Sequence, residues 1–133
     1  MKVTDRIANH CPVEVTLSVI GGKWKPLILW HLYKGGVRRF LELQRIIPGI
    51  TRKMLTQHLR ELERDGIVAR KIFNEMPLRV EYSLTKYGRT LRPLMYVLAD
   101  WGSKHEAYVA KNGDGPSAKT ATAPPKRPAV AIG

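Results

Sequence analysis

The sequence predicts an α+β fold, mainly α, in which one short β-hairpin lies between helices. Apolar residues recur at helical spacing over residues 12–65 and again over 91–101. Residues 68–73 and 79–84 look extended, and 79–84 alternate between apolar and polar side chains with the period of a strand. A chain of 133 residues has room for one domain of ~100 residues with a buried core. We therefore expect a single domain over 1–110 and a disordered, basic, Ala/Pro-rich tail over 111–133.

Proline and glycine delimit the first two predicted helices. Pro12 begins a short helix that ends near Ile20, because proline at the first helical position loses no hydrogen bond. The second helix starts after a Gly-Gly pair, and the pair at 35–36 closes it. Its apolar positions at three-and-four spacing predict one buried stripe, which consists of Trp24, Leu27, Ile28, His31 and Leu32.

Two more short helices follow, joined by a tight turn. An extended segment at 38–40 precedes a helix over 41–47, which a Pro-Gly pair stops. The next helix begins with Thr51 as its N-cap and ends at Asp65, before the glycine stop at Gly66. Two short helices joined in this way have the size of a helix-turn-helix unit.

A hairpin and a last helical region complete the domain. Residues 68–73 and 79–84 are the predicted strands, with the hairpin tip at 74–78. In the last helical region, Pro93 predicts a kink or a break near Thr90. A helix-turn-helix followed directly by such a hairpin is the winged helix-turn-helix arrangement, with a β-wing of two to three strands.

The charge balance indicates an anionic partner. Lys and Arg outnumber Asp and Glu by 23 to 11, so the chain carries a net charge of +12 and attracts nucleic acid or an anionic membrane. Its apolar runs fall short of the ~20 residues that a membrane span needs, and its N-terminus lacks the layout of a signal peptide. We therefore expect a cytoplasmic protein with no membrane partner.

Motifs for catalysis and for metal binding are missing from the sequence. It contains no nucleophile elbow, paired-carboxylate site or nucleotide fingerprint, so we expect no enzyme activity and no cofactor. The four histidines and Cys11 show no metal-ligand spacing, and one cysteine cannot form an intrachain disulfide.

The helix over 51–65 has one apolar and one cationic face. At about 100° per residue, its leucines form a narrow sector for the core, and the opposite arc carries cations, amides and hydroxyls without a carboxylate. Such a face fits the major groove of DNA, and the hairpin adds more cations beside it. The candidate DNA-binding residues are Thr51, Arg52, Lys53, Thr56, Gln57, Arg60, Arg64, Arg70, Lys71 and Arg79. The alternatives are a solvated helix face, and a basic winged module that binds RNA or protein.

Several motifs in order, from about Cys11 to Gly102, closely resemble the HxlR family of bacterial transcription regulators. They are Cys11-Pro12, Ile20-Gly21-Gly22-Lys23-Trp24, Arg38-Arg39-Phe40, Pro48-Gly49-Ile50, Leu55-Thr56, Leu59-Arg60-Glu61-Leu62, Asp65-Gly66, Val80-Glu81-Tyr82-Ser83-Leu84-Thr85 and Gly88-Arg89. The resemblance implies a dimer formed by the N- and C-terminal helices, with 51–65 as recognition helix and 74–78 as wing tip. It also implies a regulator of transcription, often a repressor. Family members vary at positions 52 and 53, so the preferred bases do not carry over.

The last helical region offers more apolar surface than a small domain needs for its own core. Its stripe is the predicted dimer interface, made of Leu91, Leu94, Met95, Leu98 and Trp101. The alternative is a helix packed wholly within one chain. A two-fold dimer would present its recognition helices to half-sites ~34 Å apart and predicts a palindromic operator.

Two features suggest an effector, which would be an oxidant, an electrophile or a small molecule. Cys11 precedes a helix whose positive end would favour the thiolate, as expected of a redox sensor; it is equally compatible with a buried, inert cysteine. In the family that the chain resembles, a cysteine at this position acts as redox sensor in several members. Trp24, Trp30 and Tyr33 either line a pocket for an aromatic effector or, as we favour, belong to the core.

Overall fold

The computed structural model describes residues 10–113 and confirms an α+β fold that is mainly helical. The elements are α1 (Pro12–Ile20), α2 (Trp24–Gly35), β1 (Arg38–Arg39), α3 (Phe40–Ile46), α4 (Arg52–Arg64), β2 (Val68–Phe73), β3 (Arg79–Leu84), a 3₁₀ helix (Gly88–Leu91), α5 (Arg92–Tyr108) and a π-helical turn (Val109–Gly113). The chain divides into two compact units at the junction of Met95 and Tyr96, within α5. The predicted tail lies outside the described residues from position 114 onward.

The three strands form one antiparallel sheet in the order β1, β3, β2, so that β3 is central. The register of the wing pairs Val68 with Leu84 and Phe73 with Arg79, and the bounds of both wing strands are those predicted. On its other edge β3 pairs with β1, where Arg38 is opposite Tyr82. The wing therefore has three strands, and its short outer strand leads directly into α3.

Single residues set the two ends of α4 and the start of α5. The Thr51 hydroxyl accepts a hydrogen bond from the backbone N–H of Met54 at 3.1 Å, which caps the N-terminus of α4 as predicted. The backbone of Gly66 has a φ of +78°, a conformation that side chains with a Cβ rarely adopt. The break predicted from Pro93 is also present, because the 3₁₀ helix ends and α5 begins just before this proline.

The core lies among α2, α3, α4 and the sheet. Its buried apolar side chains are Ile20, Ile28, Leu29, Leu32, Leu43, Ile47, Ile50, Leu55, Leu59, Leu62, Ile67, Val68, Tyr82 and Met95.

The predicted stripe of α2 is wrong in part. Leu27 is 36% exposed, whereas Lys25 and Leu29 are buried, so the buried positions are Lys25, Ile28, Leu29 and Leu32. These positions also follow helical spacing, but the stripe is rotated around the helix axis from the predicted one. The reason is that α2 packs against both β3 and α4, and α4 supplies a partner that makes burial of a lysine tolerable.

Candidate nucleic-acid interface

The inner face of α4 fixes this helix on the core. Leu55, Leu59 and Leu62 are at most 1% exposed, as the sequence predicts. A helix held by three fully buried leucines presents its opposite face at a defined angle. That face carries the exposed side chains of Lys53, Gln57, Arg60 and Arg64, with Thr56 half-buried beside them. The structure therefore brings together five predicted site residues on one exposed surface.

The N-terminal end of α4 is anchored by contacts to its neighbours. The hydroxyl of Thr51 is occupied as the helix cap, so this predicted site residue has a structural role as well. The guanidinium carbon of Arg52 lies 5.2 Å from the centre of the Phe40 ring on α3, in a cation–π contact. This contact holds Arg52 beside the first turn of α4 while its charge remains exposed.

The outer face of α4 carries positive charge that residues 10–113 do not neutralise. Within residues 10–113, Lys53 and Arg60 have no acidic partner at ion-pair distance, while Arg64 lies 3.5 Å from Asp65. An open groove of about 470 Å³ runs along this face, lined by Arg52, Lys53, Thr56, Gln57, Arg60 and Glu61. Unneutralised cations around an open groove are suited to hold a phosphate backbone.

The wing contributes fewer available cations than predicted. Arg79 is paired with two carboxylates, since its guanidinium nitrogens lie 2.7 Å from Glu75 and 2.8 Å from Glu81. It also stacks over the Phe73 ring at 3.7 Å, so it holds the base of the hairpin tip together. The sequence predicts Arg79 as a DNA contact, whereas in the structure its charge is already balanced by Glu75 and Glu81.

The other two wing cations stay accessible. Arg70 is exposed and lies 3.5 Å from Glu63 of α4, which is half-buried. Lys71 is exposed and lies 5.0 Å above the Phe73 ring. A loose surface ion pair of this kind contributes little, so Arg70 can exchange its partner for a phosphate at low cost.

A buried ion pair behind the reading face was missed by the sequence reasoning. The Nζ of Lys25, which is only 8% exposed, lies 2.7 Å from Oε1 of Glu61. The hydrogen bond from Lys25, with smaller contributions from Gln57 and His58, lowers the pKa of Glu61 from 4.5 to about 2. The only signal in the sequence was a lysine at helical spacing from Ile28 and Leu32, and its partner is far along the chain.

Two neighbours surround the Glu61 carboxylate. The Nε2 of Gln57 donates a hydrogen bond to Oε2 of Glu61 at 3.2 Å. The Nδ1 of His58 lies 3.6 Å from Oε1, just beyond hydrogen-bond distance, and has no other partner among the described residues. Each carboxylate oxygen of Glu61 therefore has its own close partner, Lys25 on one and Gln57 on the other.

Cys11 is exposed in the single chain, which favours an accessible thiol over the buried alternative. It is the N-cap residue of α1, and its backbone oxygen accepts a hydrogen bond from the N–H of Val15 at 3.1 Å. His10 and Glu14 form a pair at 3.1 Å on the same helix end. The thiol is thus accessible to a reagent or to another thiol, and the chain contains no other cysteine.

The predicted dimer residues of α5 separate into two groups. Met95 is buried in the core, and Leu91 and Leu94 are half-buried against it. Leu98 and Trp101 are 48% and 64% exposed. Met95 therefore packs within the single chain, whereas Leu98 and Trp101 are the most exposed members of the predicted interface.

The exposed part of α5 is rich in aromatic and branched side chains. The exposed apolar residues beyond Met95 are Tyr96, Val97, Leu98, Trp101 and Tyr108. The rings of Trp101 and His105 stack with centroids 4.9 Å apart, and His105 and Tyr108 stack at 6.2 Å. A single soluble helix seldom exposes this much apolar surface without a partner.

The remaining predictions concern pockets and metals. Trp24 and Trp30 are half-buried and pack against the core, as expected of core residues. Tyr33 instead lines an open cleft of about 270 Å³ together with Arg89 and Arg92. Between residues 10 and 113 no group of three or more His, Cys, Asp or Glu side chains is arranged to hold a metal ion. In the same range no helix has both the length and the apolar character to cross a membrane.

Comparison with known proteins agrees with this geometry. The family model of the HxlR-like helix-turn-helix matches residues 19–109. The chain is 50% identical over 101 residues to the HTH-type transcriptional regulator YdeP of Bacillus subtilis, covering 76% of this chain and 78% of YdeP.

Solved structures are similar as well. The redox regulator HypR in its oxidized form is 53% identical, with a TM-score of 0.68 over 71% of this chain and 96% of HypR. The diamide-treated YodB from B. subtilis is 36% identical, with a TM-score of 0.60 over 72% of this chain and 95% of YodB. The fold is therefore that of a winged helix-turn-helix, and the relatives are regulators of transcription, not enzymes. The chain belongs to the HxlR-like helix-turn-helix family of transcriptional regulators.

Proposed function

We propose that this regulator binds double-stranded DNA with sequence specificity, as a homodimer on a palindromic operator, and represses transcription from it. One observation carries the proposal: on a helix held to the core, the outer face of α4 carries Lys53 and Arg60, which have no acidic partner among residues 10–113, next to Gln57 and Thr56. An exposed helix of this width enters the major groove, and its cations and amides are the groups that contact phosphates and base edges.

The wing supplies a second contact region in this proposal. Arg70 and Lys71 lie on β2, directly after α4, and remain exposed. They would bind the backbone beside the groove that α4 occupies, whereas Arg79 stabilises the hairpin tip through Glu75 and Glu81.

Dimerisation is supported by the exposed apolar side chains of α5 and, separately, by those of Val13 and Leu17 on α1. In a two-fold dimer each recognition helix occupies one half-site, so the two half-sites form a palindrome with centres ~34 Å apart.

Control by oxidation is the third part of the proposal. Cys11 is exposed at the start of α1, and HypR and YodB, which this chain resembles, have structures in oxidized or diamide-treated form. Because Cys11 is the single cysteine, an intermolecular bridge within the homodimer joins Cys11 to its counterpart. Two thiols then lose two protons and two electrons to an oxidant such as diamide, which is reduced to the hydrazine.

The alternative function is a basic winged module for RNA or protein. A competition assay separates the two: a labelled DNA duplex that carries a selected operator is displaced by unlabelled operator duplex, by random duplex or by RNA of the same length. The proposal expects displacement by operator duplex at the lowest concentration, at physiological salt. Equal displacement by RNA and operator would refute it.

A further inference from the structure

We propose that Lys25 and Glu61 are positioning residues, which orient the amide of Gln57 so that it reads an adenine in the major groove. This inference rests on the proposed function, because it needs the outer face of α4 to lie against base pairs. It assigns a role in base recognition to two side chains, one of them buried, that do not themselves reach the DNA.

The first step is the fixed position of Glu61. Its Oε1 lies 2.7 Å from the Nζ of Lys25, whose side chain comes from a different helix and is nearly buried. An ion pair between two helices, with one member in the core, restricts the carboxylate much more than a pair between neighbours on one exposed helix does. The carboxylate of Glu61 is therefore a fixed point at the edge of the reading face.

The second step is the orientation of Gln57. A glutamine amide has a donor end and an acceptor end, and an ionised carboxylate can only accept hydrogen bonds. The nitrogen of Gln57 must therefore face Glu61, as its Nε2 does, at 3.2 Å from Oε2. Rotating the amide by 180° would place two oxygens against each other, so Oε1 of Gln57 points away from Glu61.

The third step is the match to a base. One Nε2 hydrogen of Gln57 is donated to Glu61, and the other lies next to the Oε1 of Gln57. This Oε1 is an acceptor and the remaining N–H is a donor, side by side in one amide plane. Adenine presents the complementary pair in the major groove, a donor at N6 and an acceptor at N7. Guanine presents two acceptors there, thymine an acceptor and a methyl group, and cytosine one donor. Gln57 in this orientation selects an A·T pair.

The experiment begins with a random-sequence DNA duplex library from which the wild-type protein and the Gln57→Ala variant each select binding sites. The base pair whose preference disappears with Gln57→Ala identifies the contact. The inference expects A·T at this pair in the wild-type sites. Replacing that adenine by 7-deazaadenine, which lacks N7, or by purine, which lacks the amino group, lowers the affinity of the wild-type protein by roughly 5-fold or more.

The positioning role is tested with Glu61→Gln, which keeps the shape of the side chain but can offer either end of its amide to Gln57. Discrimination between A·T and G·C at the identified pair then falls by roughly 5- to 150-fold, while preferences at the other base pairs persist. Lys25→Met is expected to act in the same direction. Asp100→Asn, which removes an exposed carboxylate on α5, is the matched control for charge and leaves the preference unchanged.

Each outcome has a distinct meaning. Three outcomes overturn the inference but not the proposed function. They are a G·C preference at the identified pair, an unchanged A·T preference in Glu61→Gln, and an equal loss of base preference at every pair of the site in Glu61→Gln. Selection of no preferred sequence by the folded wild-type protein refutes the proposed function itself, and the inference with it. A parallel measurement of the midpoint of urea unfolding ensures that each variant is folded.

Discussion

The ammonium group of Lys25 lies 2.7 Å from the carboxylate of Glu61, so a nearly buried cation on α2 is joined to the recognition helix α4. Removing one member of such a pair leaves the other charge without compensation in a poorly solvated place, which destabilises the fold. The pair therefore affects stability as well as the position of Glu61.

The first prediction is that the Lys25–Glu61 pair stops contributing to the free energy of unfolding in acid. The pKa of Glu61 is lowered from 4.5 to about 2 in the folded state, chiefly by the hydrogen bond from Lys25. A lowered pKa means that the stabilisation is complete above about pH 4.5 and is lost as the pH falls towards about 2. We expect wild type to exceed Glu61→Gln in free energy of unfolding by about 1–3 kcal/mol near pH 6, and by much less near pH 2. Urea unfolding followed by tryptophan fluorescence measures both values.

The control for this titration is Asp100→Asn, because Asp100 is exposed and its partner Lys104 is exposed as well. The free energy of unfolding of Asp100→Asn is expected to differ little from that of wild type at both pH values. If the free energies of unfolding of wild type and Glu61→Gln differ by the same amount at both pH values, the role given to Lys25 is contradicted.

The second prediction separates the dimer surface from the core of α5. Trp101→Glu places a charge on an exposed apolar surface and is expected to give a folded monomer, measured by sedimentation velocity and circular dichroism. Met95→Ala instead creates a cavity in the core and lowers the free energy of unfolding by about 2–5 kcal/mol. If Trp101→Glu sediments as a dimer, the interface lies elsewhere.

The third prediction concerns Cys11. Diamide treatment is expected to give a band of twice the mass of the chain on a non-reducing gel and to weaken operator binding, and dithiothreitol should reverse both changes. Cys11→Ser should bind the operator before and after treatment with the same affinity. Loss of binding by treated Cys11→Ser would exclude Cys11 as the sensor.

The fourth prediction compares two glycines. Gly88 is buried, and a Cβ at this position would clash with the backbone carbonyl of Ile67, which cannot move without disturbing the end of the wing. We expect Gly88→Ala to lower the free energy of unfolding by about 1–3 kcal/mol. Gly102→Ala, with open space around its Cβ within helix α5, is the control and should not lower it. Equal effects of the two substitutions would show that the contact with Ile67 is not restrictive.

Elements with strong local signals could be predicted from the sequence. Both wing strands begin and end at the predicted residues, and Thr51 caps α4 as its position before an amphipathic helix predicts. The leucine face of α4 was predictable for the same reason, since burial there follows helical periodicity. These features depend on residues close together in the chain.

Features that depend on distant residues could not be predicted. Nothing near Lys25 indicates that a carboxylate on α4 will cover it, and so the apolar spacing predicts a buried stripe that includes Leu27 and leaves Lys25 out. Met95 and Trp101 belong to one apolar stripe in the sequence, yet Met95 is buried and Trp101 is exposed. Arg79 is basic like its neighbours, but its charge is balanced by Glu75 and Glu81 once the hairpin forms.

The central claim is that the outer face of α4 binds duplex DNA, and Arg60 tests it most directly because it is exposed and has no acidic partner within residues 10–113. The measurement is fluorescence anisotropy of a labelled operator duplex titrated with wild type, Arg60→Ala and Lys104→Ala, the last being an exposed lysine on α5. We predict that Arg60→Ala weakens binding by about 1–3 kcal/mol and that Lys104→Ala leaves the affinity close to that of wild type. Wild-type affinity for Arg60→Ala would contradict the account.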